Sequence, residues 1–465
     1  MSRTTPTATT TATATATADN ISHAAVVQRR TIGVLSLSQV LSGVAIAGTI
    51  PAGALLADSI ADSDAAAGFA QTSVVTGAAL VALPLARIAL AKGRRSSLTT
   101  GYAIGGLGAA IVAVAALTRS LPLVYLGSLL MGGAQAASYQ ARYAATDLAP
   151  EHQRARSLSW VIWAATIGAV LGPNLLDPSG AWSQAWGLPR LAGPYLVAVT
   201  SLTGAAVLLF LLLRPDPYLL ATRHRTERDG AETRPKLRDG IAHLRGAPTA
   251  VVGIATIAIG HVVMVMVMVM TPVHMAHVDV TVSLIGLVIS VHIIGMYAFS
   301  PVVGWLVDRL GCFPVIYAGL SILVAACVIS GFTAGDNVPV LGLGLLLLGI
   351  GWSCTLIAGS TLIVDSVGAR ERPAVQGLSD LTMNIAGALG GALAGVIVLL
   401  GSYTVLCLTA LVPIAVLAVW VLKVRSSAPG SGGPGLDPDD AAADGPDPDE
   451  HGTDSPEHDL QATLD

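Results

Sequence analysis

The chain has 465 residues, of which 53% are hydrophobic and only 12% are charged. Soluble domains carry about 25% charged residues, so the charges here are too few to cover the surface of a soluble protein of this length. We therefore expect much of the surface to face lipid, which excludes a soluble globular protein.

The net charge of −4 conceals an acidic tail. Residues 428–465 are rich in Gly, Pro and Asp and hold 11 of the 29 acids; removing those 11 from a net charge of −4 leaves +7. A basic excess is typical of a membrane body with cytoplasmic loops. The sequence predicts a disordered acidic tail over 425–465 and a disordered Thr/Ala-rich tail over 1–30, which lacks the apolar core of a secretory signal.

Twelve apolar runs follow one another along the chain. A bilayer core about 30 Å thick takes roughly 20 apolar residues of helix, and only helices satisfy their own backbone in lipid. The runs cover about 32–57, 67–90, 98–118, 121–145, 157–177, 192–213, 249–271, 282–303, 313–333, 338–362, 377–400 and 402–422. We predict an all-α membrane protein with twelve transmembrane spans.

A polar stretch at 214–248 separates the sixth span from the seventh. The predicted organisation is a first six-helix half at 31–213, a cytoplasmic linker with an amphipathic helix near Leu237–Leu244, and a second half at 249–424. On one side of the membrane the loops hold only Arg119 and Arg190, whereas the linker alone holds eight Arg and Lys. The positive-inside rule therefore places both termini in the cytoplasm.

The two halves resemble each other. Gly93 and Gly311 follow the second and eighth spans, and Asp147 and Asp365 close the fourth and tenth; each pair is 218 residues apart. Parallel halves of this kind are a known transporter architecture, with the substrate site between them near the midplane.

The loop after the eighth span reads Gly304-Trp-Leu-Val-Asp308-Arg309-Leu-Gly311. It resembles the signature loop of the major facilitator superfamily. The resemblance implies secondary transport of a small solute, and contacts of Asp308 and Arg309 at helix ends that latch one cytoplasmic conformation. The first-half copy has Leu90 at the acid's position, so we expect the second half to carry most of the latch.

The fifth span contains Gly168-x-x-x-Gly172-Pro173. This pattern is similar to the glycine–proline motif of drug/proton antiporters. It is equally a pattern of small residues that lets two helices approach closely and bend at the proline. Both interpretations stay open at this point.

Methionine and histidine concentrate in the seventh and eighth spans. Between positions 261 and 296 lie six of the nine Met and four of the ten His. Residues four apart share a helix face, and Met264/Met268, Met266/Met270 and His292/Met296 have this spacing. Thioether and imidazole suit Cu(I), although methionine also fills apolar cores. An ionisable side chain inside the membrane favours a functional role for His292.

The first half forms the corresponding helices without these residues, so the fold does not require them. The pattern Met264-x-x-x-Met268 followed by His292-x-x-x-Met296 resembles that of the CcoA-type copper importers. The resemblance implies that these four residues bind Cu(I) as the transported substrate, with no resident cofactor. His274, Met275 and His277 are predicted in the outer loop, where they either collect copper or form an ordinary polar loop.

Two charged residues lie within predicted spans. Arg142 and Asp380 are candidates for proton coupling or gating. Alternatively, Arg142 forms a pair with Asp147 that extends to the cytoplasmic interface, and Asp380 is a polar group at a helix end.

The main functional hypothesis is copper uptake across the plasma membrane. Its rivals are a proton-coupled exporter of drugs or small organic metabolites and a membrane receptor that does not transport. No nucleophile motif or nucleotide-binding loop is present in the sequence, so we expect neither an enzyme nor ATP-driven transport. We further expect a monomer with no nucleic-acid partner.

Overall fold

Each of the twelve predicted spans coincides with helix. The computed structural model describes residues 8–61, 64–229, 242 and 244–427, and all regular structure in those ranges is helical. The α-helices are α1 Ala8–Ala61, α2 Asp64–Thr118, α3 Leu121–Ala144, α4 Arg154–Asn174, α5 Leu176–Ala185, α6 Gly193–Leu212, α7 Pro217–Asp229, α8 Pro248–Ala276, α9 Val282–Tyr297, α10 Ser300–Leu310, α11 Cys312–Gly331, α12 Val338–Ser366, α13 Arg372–Leu400 and α14 Tyr403–Ser427. We call α1–α6 the first half and α8–α14 the second half.

Helix α2 folds back on itself at Gly93. The Ser97 hydroxyl donates to the Leu85 carbonyl at 2.7 Å, although twelve residues of straight helix would separate them by about 18 Å. Gly93 has φ 86° and ψ 175°, a conformation that strains a residue carrying a Cβ. The second and third predicted spans are therefore two antiparallel helices within α2.

The same turn recurs in the second half. Gly311 lies between α10 and α11 with φ 86° and ψ 169°. The agreement with Gly93 confirms the 218-residue repeat inferred from the sequence. We call the end of the bundle that carries both glycines the loop face.

The eighth predicted span is interrupted. Helix α9 ends at Tyr297 and α10 begins at Ser300, with Pro301 in its first turn. Proline lacks the N–H that would continue the helix and crowds the preceding turn, so the chain kinks here.

Glycines bring α4 against α1. A Cβ built on Gly168 would lie 2.4 Å from the Val40 carbonyl oxygen and 2.7 Å from the Gly43 Cα. A Cβ built on Gly172 would likewise lie 2.6 Å from the Gly48 nitrogen. This geometry matches the packing interpretation of the glycine–proline pattern.

Each half has its own apolar core. One cluster of buried residues runs from Val34 to Leu213 within the first half, and another fills the second half. The second cluster also includes Tyr143, Ala155 and Leu158 of the first half. Residues through Val424 consequently form one compact unit.

The helical membrane class is confirmed. Ten helical segments of the described chain are long and apolar enough to cross a membrane, and one of them, Phe69–Thr118, contains the reversal at Gly93. Helix α3 has 24 residues but is not among the ten. Twelve crossings and cytoplasmic termini stay predictions.

Two expectations about the polar segments differ from the structure. Residues 8–30 continue α1 instead of forming a disordered tail, since an existing helix gains one hydrogen bond for each residue added. The linker begins with α7, which the sequence did not predict. Most of the predicted amphipathic helix near Leu237–Leu244 lies outside the described residues, as do residues 428–465.

Candidate functional site between the two halves

A buried ion pair closes the loop face near Gly93. Arg94 donates to both carboxylate oxygens of Asp147, at 2.8 and 3.2 Å, and to the Gln376 side-chain oxygen at 2.5 Å. Arg94 and Asp147 belong to the first half, whereas Gln376 lies on α13. The contact therefore joins the halves.

A second buried pair lies on the neighbouring stretch of α13. Arg142 of α3 donates to Asp380 at 2.7 Å, and both side chains are at most 2% exposed. The predicted pairing of Arg142 with Asp147 near the membrane interface is therefore wrong. Asp147 forms its ion pair with Arg94, and Arg142 forms its ion pair with Asp380. The second Asp380 oxygen and the Arg142 Nε are buried without a hydrogen-bond partner.

The signature loop contacts the start of α4. The Asp308 carboxylate accepts hydrogen bonds from the backbone N–H groups of Ala155 and Arg156, each at 3.0 Å. A carboxylate at a helix N-terminus is favoured by the unpaired N–H groups there. Arg309 instead stacks over Trp305 at 5.2 Å.

Neighbouring contacts extend this closure. A Cβ built on Gly304 would meet the Ser159 side chain, and Gly311 ends α10 in the turn described above. Arg154 of α4 bonds Asp365 of α12 at 2.7 Å. The contacts of Asp308, Gly304 and Arg154 join the halves at the loop face, so the loop face is closed in this conformation.

Helices α8 and α12 pack antiparallel through small residues. Gly253 lies against Gly359, and about two turns further along α8 Gly260 lies against Thr355. Met264, one turn beyond Gly260, continues the same face and is 3% exposed. One further turn along α8 is Met268, which is half-buried.

Helix α9 packs on α12 in parallel. The His292 ring Nδ1 lies 2.8 Å from the Leu345 carbonyl oxygen, and a Cβ on Gly349 would lie 2.7 Å from the Met296 nitrogen. His292 is fully buried, and its Nε2 has no hydrogen-bond partner. Met296 is 8% exposed.

The four predicted copper ligands lie on two helices that both pack on α12. Met264 and Met268 belong to α8, which contacts α12 through Gly260, and His292 and Met296 belong to α9. The two pairs therefore share a neighbouring helix.

The other methionine face of α8 has a different neighbour. Met266 lies against Gly390 of α13, where a Cβ would be 3.4 Å from its Cγ. The sequence did not decide which methionine face of α8 lines the pore. In the structure the face of Met266 contacts α13, whereas the face of Met264 continues the surface that packs on α12.

The predicted outer residues belong mostly to α8, not to a loop. The helix continues past Pro272 to Ala276. His274 stacks on Tyr403 with ring centroids 4.4 Å apart, and Met275 is fully buried. His277 caps the helix and is exposed.

Sequence reasoning missed an aromatic group beside these residues. The Trp352 indole N–H donates to the His261 Nδ1 at 3.1 Å, and the Tyr297 ring lies 5.9 Å from Trp352, edge to face. Tyr139 and Tyr143 flank Arg142. Their positions on four helices follow no local pattern, so only the structure brings them together.

The first half contains a small cavity of about 40 Å³ with a mainly apolar lining. The side chains in that lining that can form hydrogen bonds are Thr49, Gln71, Ser128, Gln135 and Tyr195. None of these side chains is charged, so the cavity offers only neutral hydrogen-bonding groups.

The comparisons with known proteins agree with this architecture. The model of the Major Facilitator Superfamily matches residues 35–279 and 252–441. The chain belongs to the major facilitator superfamily. Proteins of this superfamily are membrane transporters that move small solutes, which confirms the transporter class and agrees with a protein that is not an enzyme.

Known relatives resemble this chain in sequence, and a solved structure resembles it in fold. The chain is 40% identical over 383 residues to YdeG, an uncharacterized MFS-type transporter of Bacillus subtilis (strain 168), covering 82% of this chain and 88% of YdeG. It is 27% identical to the riboflavin transporter RfnT of Brucella anthropi, covering 77% and 86%. The E. coli fucose:proton symporter FucP has a TM-score of 0.65 at 17% identity, covering 86% and 98%; this shows the shared fold.

Proposed function

We propose that this superfamily member imports Cu(I) across the plasma membrane by alternating access. In the proposed arrangement the halves cross the membrane twelve times, and the loop face is cytoplasmic. The fold-back at Gly93 supports the count, because it makes two crossings of α2. The basic residues concentrated on the loop face support the orientation.

The copper assignment depends on one observation. His292 is fully buried, with its Nδ1 beside a backbone carbonyl and its Nε2 unpartnered. A metal-binding histidine typically has its second ring nitrogen fixed in this way. Met296 is one turn away on α9, and Met264 and Met268 lie on α8, which packs on the same helix α12. Together they supply three thioethers and one imidazole, a donor set that suits Cu(I).

The proposed coupling uses the Arg142–Asp380 pair. Protonation of Asp380 would neutralise its charge and weaken the contact between α3 and α13. The halves could then separate at the loop face and release the cargo inward. A proton and a cation would in this way cross in the same cycle.

Copper uptake tests the assignment. We expect cells that express the wild-type chain to accumulate more copper than cells without it. Met264→Ala, Met268→Ala, His292→Ala and Met296→Ala should each reduce that gain at least tenfold at equal membrane abundance. Met266→Ala is the matched control, since it removes a thioether from the face toward α13. Equal uptake by all five variants and wild type would exclude copper coordination by these residues.

An organic solute with a planar ring is the second candidate. Trp352, Tyr297 and His261 form an aromatic group beside the interface, and the uncharged cavity of the first half suits hydroxyl or amide groups. The name of RfnT adds riboflavin as a specific cargo to test. Uptake of labelled riboflavin by the same cells, with Trp352→Ala as the variant, separates the two candidates.

A further inference from the structure

The first half lacks the acid that makes the latch of the second half. Asp308 of the second half accepts two N–H groups from the start of α4, as described above. The equivalent residue of the first half is Leu90, which is buried with Tyr218 and Ala374 at the start of α13. The contact between the halves is therefore polar at Asp308 and apolar at the equivalent residue Leu90.

A carboxylate from the linker reaches the turn at Gly93, three residues after Leu90. One oxygen of Asp216 accepts the Arg95 backbone N–H at 2.7 Å. The other accepts the N–H groups of Tyr218 and Leu219, at 3.0 and 3.2 Å, in the first turn of α7. The carboxylate also fills the space beside Gly93, where a Cβ would lie 2.4 to 2.7 Å from its atoms.

The next turn of the linker contacts the second half. The Tyr218 hydroxyl donates to the Arg370 carbonyl at 2.9 Å, in the segment between α12 and α13. Arg94 lies 5.9 Å over the Tyr218 ring. Tyr218 is only 3% exposed, so its contacts are made inside the closed interface.

We propose that Asp216 and Tyr218 are positioning residues that replace the missing acid at Leu90 and hold the first-half side of the loop face closed. Asp216 anchors the linker to the turn at Gly93, and Tyr218 extends that anchor to the second half. The two residues together do what Asp308 does alone. The inference uses the superfamily's alternating access but not the identity of the cargo.

Accessibility of an introduced cysteine tests the proposal in the purified full-length chain. Ser379→Cys places a thiol on α13, where the serine is fully buried, in a Cys312→Ser background that removes the half-exposed native thiol. We expect Asp216→Asn to increase its rate of maleimide labelling at least fivefold. Tyr218→Phe, which removes only the hydroxyl, should change the rate in the same direction by a smaller factor.

The decisive variant moves the acid. Leu90→Asp combined with Asp216→Asn should return the labelling rate to within twofold of the parent, because the carboxylate is restored on the first half itself. Asp177→Asn, which removes an exposed acid paired with Arg190, is the control and should have no effect. Unchanged labelling in Asp216→Asn, or a double variant that labels as fast as Asp216→Asn, would overturn the proposal. Labelling does not depend on copper, so failure of the copper assignment leaves this result interpretable.

Discussion

At the scale of single residues, Arg142 and Asp380 form a buried ion pair between the two halves. Both side chains are withdrawn from solvent, and each keeps one polar atom unpartnered. Removing one member of such a pair leaves an uncompensated buried charge, which costs about 3–5 kcal/mol. Substitution of either residue should therefore weaken the contact between α3 and α13.

We expect Asp380→Asn to lower the thermal unfolding midpoint of the purified protein by several degrees, because the Arg142 charge loses its partner. We also expect uptake to lose its dependence on external pH. The same change at Asp177, in an exposed pair, should leave both quantities unchanged. Wild-type thermal stability in Asp380→Asn would contradict the structural role of the pair.

At the scale of helices, close packing of α4 on α1 fixes the shape of the first half. Gly168 and Gly172 meet Gly43 and Gly48 backbone to backbone. Small residues at such crossings let van der Waals contacts form along the whole interface, which is a main source of helix association in lipid.

Gly168→Val should destabilise the protein strongly, since its side chain would overlap the α1 backbone. Gly395→Val is the matched control, because a Cβ at Gly395 meets nothing within 4 Å. Thermal unfolding in detergent, followed by intrinsic fluorescence, should separate the two variants by at least 5 °C. Equal midpoints would show that the two helices can move apart without cost.

At the scale of the whole molecule, the described contacts between the halves place the closed gate at the loop face. Gly304 of α10 meets Ser159 of α4 there, with 2.7 Å between the Ser159 Cβ and a Cβ built on Gly304. Alternating access requires this contact to open and close in every cycle.

We expect the double variant Ser159→Cys/Gly304→Cys to stop transport under oxidising conditions and to recover after reduction. A disulfide there needs the two helices to separate by about 1 Å, given the usual Cβ–Cβ distance near 3.8 Å. Each single variant should be insensitive to oxidant. The assay uses whichever solute, copper or riboflavin, the chain transports. Full activity of the cross-linked protein would exclude gating at this position.

The sequence predicted the repeated architecture well because that architecture depends on local signals. Runs of apolar residues set the spans, and glycine at 93 and 311 marks the same left-handed turn twice. The partners of Arg142 and Asp147 were predicted wrongly because their true partners lie 238 and 53 residues away. The spacing of apolar residues along a helix does not predict contacts between residues so far apart in the sequence. Asp216 was missed for the same reason, since nothing in the linker's composition shows that it meets the turn at Gly93.

The Asp308 contact has a consequence for how this protein tolerates sequence change. The carboxylate accepts hydrogen bonds from the main chain of Ala155 and Arg156, and the Arg156 side chain adds a longer ion pair at 4.0 Å. Random mutation at the exposed Arg156 should therefore leave both hydrogen bonds intact for most residue types, whereas the fully buried Ala155 has room only for small side chains. Proline is excluded at both positions, because it has no N–H to donate. A saturation library would record this as broad tolerance at 156 and narrow tolerance at 155, whereas Asp308 itself would accept few replacements.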